Sequence, residues 1–161
     1  MQEQKFEFSF DVYSGIDELD AQDRQILIEA RDVTDKAYAP YSNFRVGAAA
    51  KLSNNKIVTG TNQENASYPV GICAERVLLS AISSLHPGIP IETIAVSYQS
   101  AKINSDHPIS PCGMCRQALQ EFEGRTGKPI RLILSGMEGK VYVIKSAGLL
   151  LPLAFTSEGL G

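Results

Sequence analysis

Gly71-Ile72-Cys73-Ala74-Glu75-Arg76 and Ser110-Pro111-Cys112-Gly113-Met114-Cys115-Arg116-Gln117 are the two stretches on which the reading of this chain turns. Together they hold all three cysteines of the sequence. Three thiols, two of them in a Cys-x-x-Cys, make an odd set for a disulfide framework and a natural one for a metal site in a reducing compartment. Structural zinc sites are normally closed by four protein ligands, whereas a catalytic site keeps one position for water or substrate. Three cysteines therefore point to an open site. Neither His86 nor His107 has the spacing to close it, and each precedes a proline and reads as a loop residue.

Both stretches also read as helix starts. The spacing of Ala74, Leu78, Ala81, Ile82 and Leu85 is helical and puts Cys73 and Glu75 in a first turn. Ser110 and Pro111 suit an N-cap and a first helical position, after which Cys112, Cys115, Leu119 and Phe122 share one face. This placement answers an electrostatic difficulty. Three thiolates with Zn2+ sum to a net charge of about −1, and the partial positive charge of two helix N-termini offsets it. Arg76 is a candidate to add hydrogen bonds to the cysteine sulfurs from outside the ligand set. Glu75, beside a metal ligand, has the right type for a proton carrier. The competing reading makes it a first-turn acid favoured by the helix dipole.

Outward from these stretches the chain alternates strands and helices. Phe6, Phe8, Phe10 and Val12 alternate with Lys5, Glu7, Ser9 and Asp11, the period of an edge strand over residues 5–13. Asp17 or Asp20 caps a helix carrying Ile26, Leu27, Ala30, Val33 and Ala37, which Pro40 stops. A small-residue strand from Arg45 to Leu52, turn chemistry at Ser53-Asn54-Asn55-Lys56 and a return from Ile57 to Thr61 predict a hairpin. Further strands are expected at Thr93–Tyr98, Arg131–Ser135 and Val141–Lys145, with a short helical piece over Ser146–Leu151. The alternation predicts an α/β fold: a three-layer α/β/α sandwich on a mixed, roughly five-stranded sheet.

The 161 residues are 43% apolar and 20% charged with a net charge of −3, which suits one globular domain. That acidic balance makes a nucleic acid polymer a poor partner and a small molecule a better one. The first residues lack an apolar signal core, and no stretch approaches the roughly 18 apolar residues of a membrane span. A cytoplasmic protein is expected.

Four blocks carry a family resemblance: Ala39 to Ala49 (APYSNFRVGAA), Asn62 to Arg76 (NQENASYPVGICAER), Ser110 to Gln117 (SPCGMCRQ) and Leu150 to Phe155 (LLPLAF). In this order they resemble the small homotetrameric zinc-dependent cytidine deaminases of the cytidine/deoxycytidylate deaminase superfamily, from about Tyr38 to Leu160. The resemblance implies a single cytidine deaminase-like domain over residues 1–161, with residues 1–20 an N-terminal extension. It implies one Zn2+ per subunit held by Cys73, Cys112 and Cys115, and Glu75 as the proton shuttle. It also implies Asn62 and Glu64 on the sugar hydroxyls, Phe44 against the pyrimidine ring, and Val46 and the backbone of Ala66 along the base. Phe155 resembles a C-terminal aromatic that reaches a neighbouring subunit's site in a homotetramer. The implied reaction is hydrolytic deamination of cytidine and 2'-deoxycytidine, a step of pyrimidine salvage.

Three rival readings stand beside this one. The nucleoside antibiotic blasticidin S is an alternative substrate, since its deaminases share the Pro-Cys-Gly-x-Cys-Arg-Gln block. A structural zinc knot would need a fourth protein ligand. A redox dithiol at Cys112 and Cys115 would leave Cys73 and Glu75 without a role.

Overall fold

The computed structural model describes residues 1–157, so the end of the matched span at Leu160 lies outside the described residues. Asp20 starts the first helix, its carboxylate accepting from the backbone N–H groups of Gln22 and Asp23 at 2.9 Å each. The elements then follow as β1 (Asp11–Tyr13), α1 (Ala21–Asp32), β2 (Phe44–Leu52), β3 (Ile57–Thr61), α2 (Ala74–Leu85), β4 (Ile91–Ser100), α3 (Gly113–Thr126), β5 (Arg131–Ser135) and β6 (Val141–Ile144). A short 3-10 turn, Ala147–Leu150, follows the last strand.

The six strands form one sheet in the order β1-β6-β5-β4-β2-β3. Only β4 and β5 pair in parallel; the other neighbours are antiparallel. The parallel pair requires a crossover, and α3 supplies it. The sheet is buried on both faces, which makes its inner strands read as unbroken apolar runs. Ala49, Ala95, Ile133 and Val143 face α1, packing with Ile26, Leu27 and Ala30. Ala48, Ala50, Val96, Leu132 and Leu134 face the other way, toward Leu78 and Ile82 of α2 and Leu119 of α3. The α/β/α sandwich is the expected one, with a sixth strand added.

That sixth strand is β1, and it is shorter than the alternation of residues 5–13 predicts. Asp11 pairs with Val143, so one step outward Phe10 stands opposite Ile144, the last residue of β6. Beyond it the chain turns into the 3-10 segment and offers no ladder, and residues 1–10 take part in no strand. A second difference concerns α3. Its cap is Cys112, not Ser110, because Arg116 Nε donates to the Pro111 carbonyl at 2.8 Å and holds it outside the helix. The first helical bond runs instead from Arg116 N–H to the Cys112 carbonyl at 2.9 Å.

Glycine at 60 sets where α2 lies. A Cβ there would stand 2.6 Å from the Leu78 nitrogen and 2.8 Å from the Ala74 carbonyl oxygen, so the helix backbone rests directly on β3. Contact with backbone cannot be relieved by rotating a side chain. Gly60→Ala is expected to destabilise the protein by about 1–3 kcal/mol, the usual cost of overpacking. Denaturant unfolding checks this, and parental stability in that variant would contradict the close approach.

Candidate functional site

Cys73 caps α2 and Cys112 caps α3, neither with a side-chain capping bond, and Cys115 sits in the first turn of α3. Both sulfur-bearing caps therefore leave their sulfurs free beside helix N-termini. The three sulfurs lie within 4.8 Å of one another. Cys73 Sγ is 3.7 Å from Cys112 Sγ, and Cys112 Sγ is 3.5 Å from Cys115 Sγ. A tetrahedral zinc with Zn–S bonds of about 2.3 Å needs sulfurs roughly 3.8 Å apart, so the donor set fits that ion.

The thiols do not ionise alike. Contact with the Cys115 thiol, aided by Cys112, holds Cys73 down to about 6, against burial that opposes it. Cys115 is pushed up by the same contact and by its burial. Glu75, 5% exposed, is raised above the usual carboxylate range by burial, which outweighs its own backbone N–H and the Cys115 thiol. Arg76 lies elsewhere than the sequence reading expects: its Nη1 points to Met114 Sδ at 3.9 Å, not to a cysteine sulfur. Its charge still favours the Cys73 thiolate.

A cavity of about 430 Å³ opens from the sulfurs, and Phe44, Val46, Asn62, Glu64, Cys73, Glu75 and Cys112 all line it. Its far end is a single hydrogen-bonded unit. Asn62 Oδ1 accepts from Val46 N–H at 2.7 Å, and its Nδ2 donates to the Phe44 carbonyl at 2.9 Å. Glu64 Oε2 accepts from the N–H groups of Tyr41 at 2.9 Å and Ser42 at 3.3 Å, while the Ser42 hydroxyl donates to Oε1. The Ser42 hydroxyl, with those two N–H groups, holds the Glu64 carboxyl below the usual range. Phe44 stacks on the fully buried Tyr98 with ring centroids 5.0 Å apart and planes at 17°.

Two expected residues are not among those that line the cavity. Ala66 is exposed beside it. Phe155 is 64% exposed and borders a separate hollow with Gln120 and Arg125, its carbonyl accepting from Gln117 Nε2 at 2.9 Å. The histidines keep to loop roles: His107 approaches the Tyr98 hydroxyl at 3.3 Å and Asp106 at 3.0 Å, and His86 caps the end of α2. Sequence reasoning missed Ser42, Tyr68, Ile109 and Tyr98. Of these, Ser42 was visible as the polar residue of the loop before β2.

No helix among the described residues is long and apolar enough to cross a membrane. Residues 20–127 match the family described as "Cytidine and deoxycytidylate deaminase zinc-binding region". The chain is 34% identical over 139 residues to the cytidine deaminase of Halalkalibacterium halodurans, covering 86% of this chain and 98% of that protein. With the cytidine deaminase of Sporosarcina psychrophila it shares 32% over 137 residues, 84% of this chain and 93% of that one. Among solved structures, cytidine deaminase from Burkholderia pseudomallei superposes with a TM-score of 0.70 at 41% identity, covering 81% of this chain and 97% of that one. The enzyme from Mycobacterium tuberculosis gives 0.63 at 29%, covering 86% and 98%. A match over most of the chain, on a fold whose two helix starts gather three cysteine sulfurs, means that this chain belongs to the cytidine and deoxycytidylate deaminase zinc-binding family.

Proposed function

We propose that this protein catalyses zinc-dependent hydrolytic deamination of cytidine and 2'-deoxycytidine to uridine and 2'-deoxyuridine with release of ammonia, as a step of pyrimidine salvage. One observation carries the reading: a single cavity is lined by Cys73, Cys112 and the buried Glu75, with the Cys115 sulfur buried behind the first two, and by Asn62 and Glu64. Its volume of about 430 Å³ falls in the range of small-molecule sites.

Cys73, Cys112 and Cys115 are the residues to hold zinc, which when bound acidifies a water near neutral pH. Glu75 takes a proton from water and passes it to a ring nitrogen as the resulting hydroxide adds to the amino-bearing ring carbon. It then takes the second proton from that new hydroxyl and gives it to the amine, which leaves as ammonia as the C–N bond breaks and the carbonyl forms. Phe44, kept in plane by Tyr98, packs against the pyrimidine, and Val46 lines the same wall. The backbone of Ala66 is assigned to the base on the strength of the resemblance alone. Asn62 keeps one amide hydrogen beyond its bond to Phe44, and Glu64 keeps a free lone pair on Oε1. A carboxylate and an amide so placed can read sugar hydroxyls, which favours a nucleoside over a free base. Arg76 supports the Cys73 thiolate through its charge.

Phe155 does not line its own chain's cavity and is exposed at a separate hollow, open to a neighbour. This supports a homotetramer with shared sites. Free thiols in the ligand set suit a reducing, cytoplasmic setting.

A panel of cytidine, deoxycytidine, cytosine, CMP and blasticidin S, with zinc quantified in the same sample, tests the reading. Both nucleosides should turn over with ammonia release, and stoichiometric zinc without turnover would instead favour a structural knot. Glu75→Gln is expected to retain zinc and lose on the order of 10²–10⁴-fold in kcat. Full activity in that variant would remove Glu75 from the proton path.

Glu64 gives a pH prediction. Its folded pKa is lowered, so its ionised contacts are present above the unfolded value and are lost only as pH falls through the folded one. Ser42→Ala removes the chief cause and should move the acidic rise in KM to higher pH. An unmoved KM profile would separate Glu64 from the sugar.

Phe155→Ala should cost on the order of tenfold or more in kcat/KM, as expected for losing a buried aromatic contact. Mixing it with Glu75→Gln under subunit exchange should restore activity, because one chain supplies the carboxylate and the other the ring. No recovery on mixing would mean that each site is built from one chain.

A further inference from the structure

Residues 1–10 lie outside every strand, yet they carry an ordered aromatic row. Phe6 and Phe8 have ring centroids 6.5 Å apart, Phe8 and Phe10 6.2 Å, and Phe10 meets Tyr142 of β6 at 5.0 Å. Side chains two residues apart on one face are the mark of extended backbone. Tyr142 packs against the core on the α2 and α3 side, so the row prolongs that apolar face past the end of β6. The three phenylalanines are 54%, 43% and 44% exposed. β1 is the outermost strand, and among the described residues no strand pairs with its outer edge. An open edge continued by an apolar, extended ribbon is a template for another strand.

The sequence says which strand. Set antiparallel to itself about Phe8, the segment Lys5-Phe6-Glu7-Phe8-Ser9-Phe10-Asp11 opposes Lys5 to Asp11, Phe6 to Phe10, Glu7 to Ser9, and Phe8 to Phe8. Centring on Ser9 instead opposes Glu7 to Asp11, and centring on Glu7 opposes it to itself, so both neighbouring in-phase registers set like charges together. A shift by one residue sets phenylalanines against polar residues. Of these registers the first is the one in which charge and face agree. Among the described residues the ion pair of Lys5 is with Glu7, two residues along and likewise exposed.

We infer that residues 5–11 pair antiparallel with the same segment of a second copy of this chain, about a two-fold axis through Phe8, joining the two sheets edge to edge. The pairing is independent of the catalytic reading, because none of its residues lines the cavity.

Amide hydrogen exchange of residues 5–11 in the full chain, with mass by light scattering, tests it. The expected result is protection that grows with protein concentration and is lost, on the order of tenfold, in a Phe6→Ser, Phe8→Ser, Phe10→Ser variant. Asp11→Lys alone should also lose protection by opposing two lysines, and adding Lys5→Glu should restore it. Free exchange in the unaltered chain at every concentration would overturn the proposal. Protection indifferent to both charge changes would overturn it too, since it would mean that something other than this segment covers the ribbon. All of these positions are exposed, so unfolding is not the expected consequence of any variant.

Discussion

Two helix N-termini have to arrive at one point, and most of the fold serves that requirement. Cys73 and Cys112 are the caps of α2 and α3, so their sulfurs meet only if both helices start on the same face and at the same end of the sheet. The parallel pairing of β4 with β5 forces the intervening chain to cross over one face, and α3 is that crossover. The direct rest of α2 on Gly60 brings the other helix down to the matching height. Neither cap uses its side chain on the helix, which is unusual chemistry for a cap and leaves the sulfurs available.

The opposite wall of the cavity is built on another economy. Asn62 closes the end of the hairpin by bonding both backbone neighbours of Arg45, which aligns Phe44 and Val46 toward the cavity. Glu64 anchors the loop at Tyr41 and Ser42 in the same way. The side chains proposed to bind substrate thus already fold the wall that holds them. Each retains spare hydrogen-bonding capacity, so structural and binding uses do not exclude one another. A pre-satisfied group is also a pre-oriented one, and little ordering is left for the ligand to impose.

The parts of this arrangement legible in the sequence are those governed by local rules. Turn chemistry at Ser53-Asn54-Asn55-Lys56 leads to a return strand over Ile57–Thr61, as expected, and Arg131–Ser135 likewise keeps its expected bounds. The cysteine count and spacing pointed to the cluster that the folded chain forms. What local rules misread depends on contacts distant in sequence. Ser110 looks like a good cap until Arg116 takes the Pro111 carbonyl, and the alternation at Lys5–Tyr13 looks like a full strand until β6 runs out at Ile144. Arg76 seemed the natural partner for a cysteine sulfur, but its Nη1 points to the sulfur of Met114 in the first turn of the other helix. Tyr98 reads as one more apolar strand residue, and its stacking under Phe44 follows from the pairing of Val46 with Tyr98 across β2 and β4.

The position of Arg76 bears on how three thiolates are tolerated at one site. With the Arg76 guanidinium directed at the Met114 sulfur and not at a cysteine, the compensation comes from the two helix ends, each equivalent to roughly half a positive charge, with Arg76 acting through its field. Those helix ends are rigid parts of the fold, so their contribution does not depend on the rotamer of a long side chain. The same geometry sets the limit on Glu75. It lies buried beside sulfurs that carry negative charge when ionised, and burial already raises its carboxyl above the ordinary range. A group in that setting gives up less when it takes a proton than a solvated carboxylate would, which is the property a proton carrier needs. The helix start that gathers the ligands therefore also creates the environment that suits Glu75 to its proposed role.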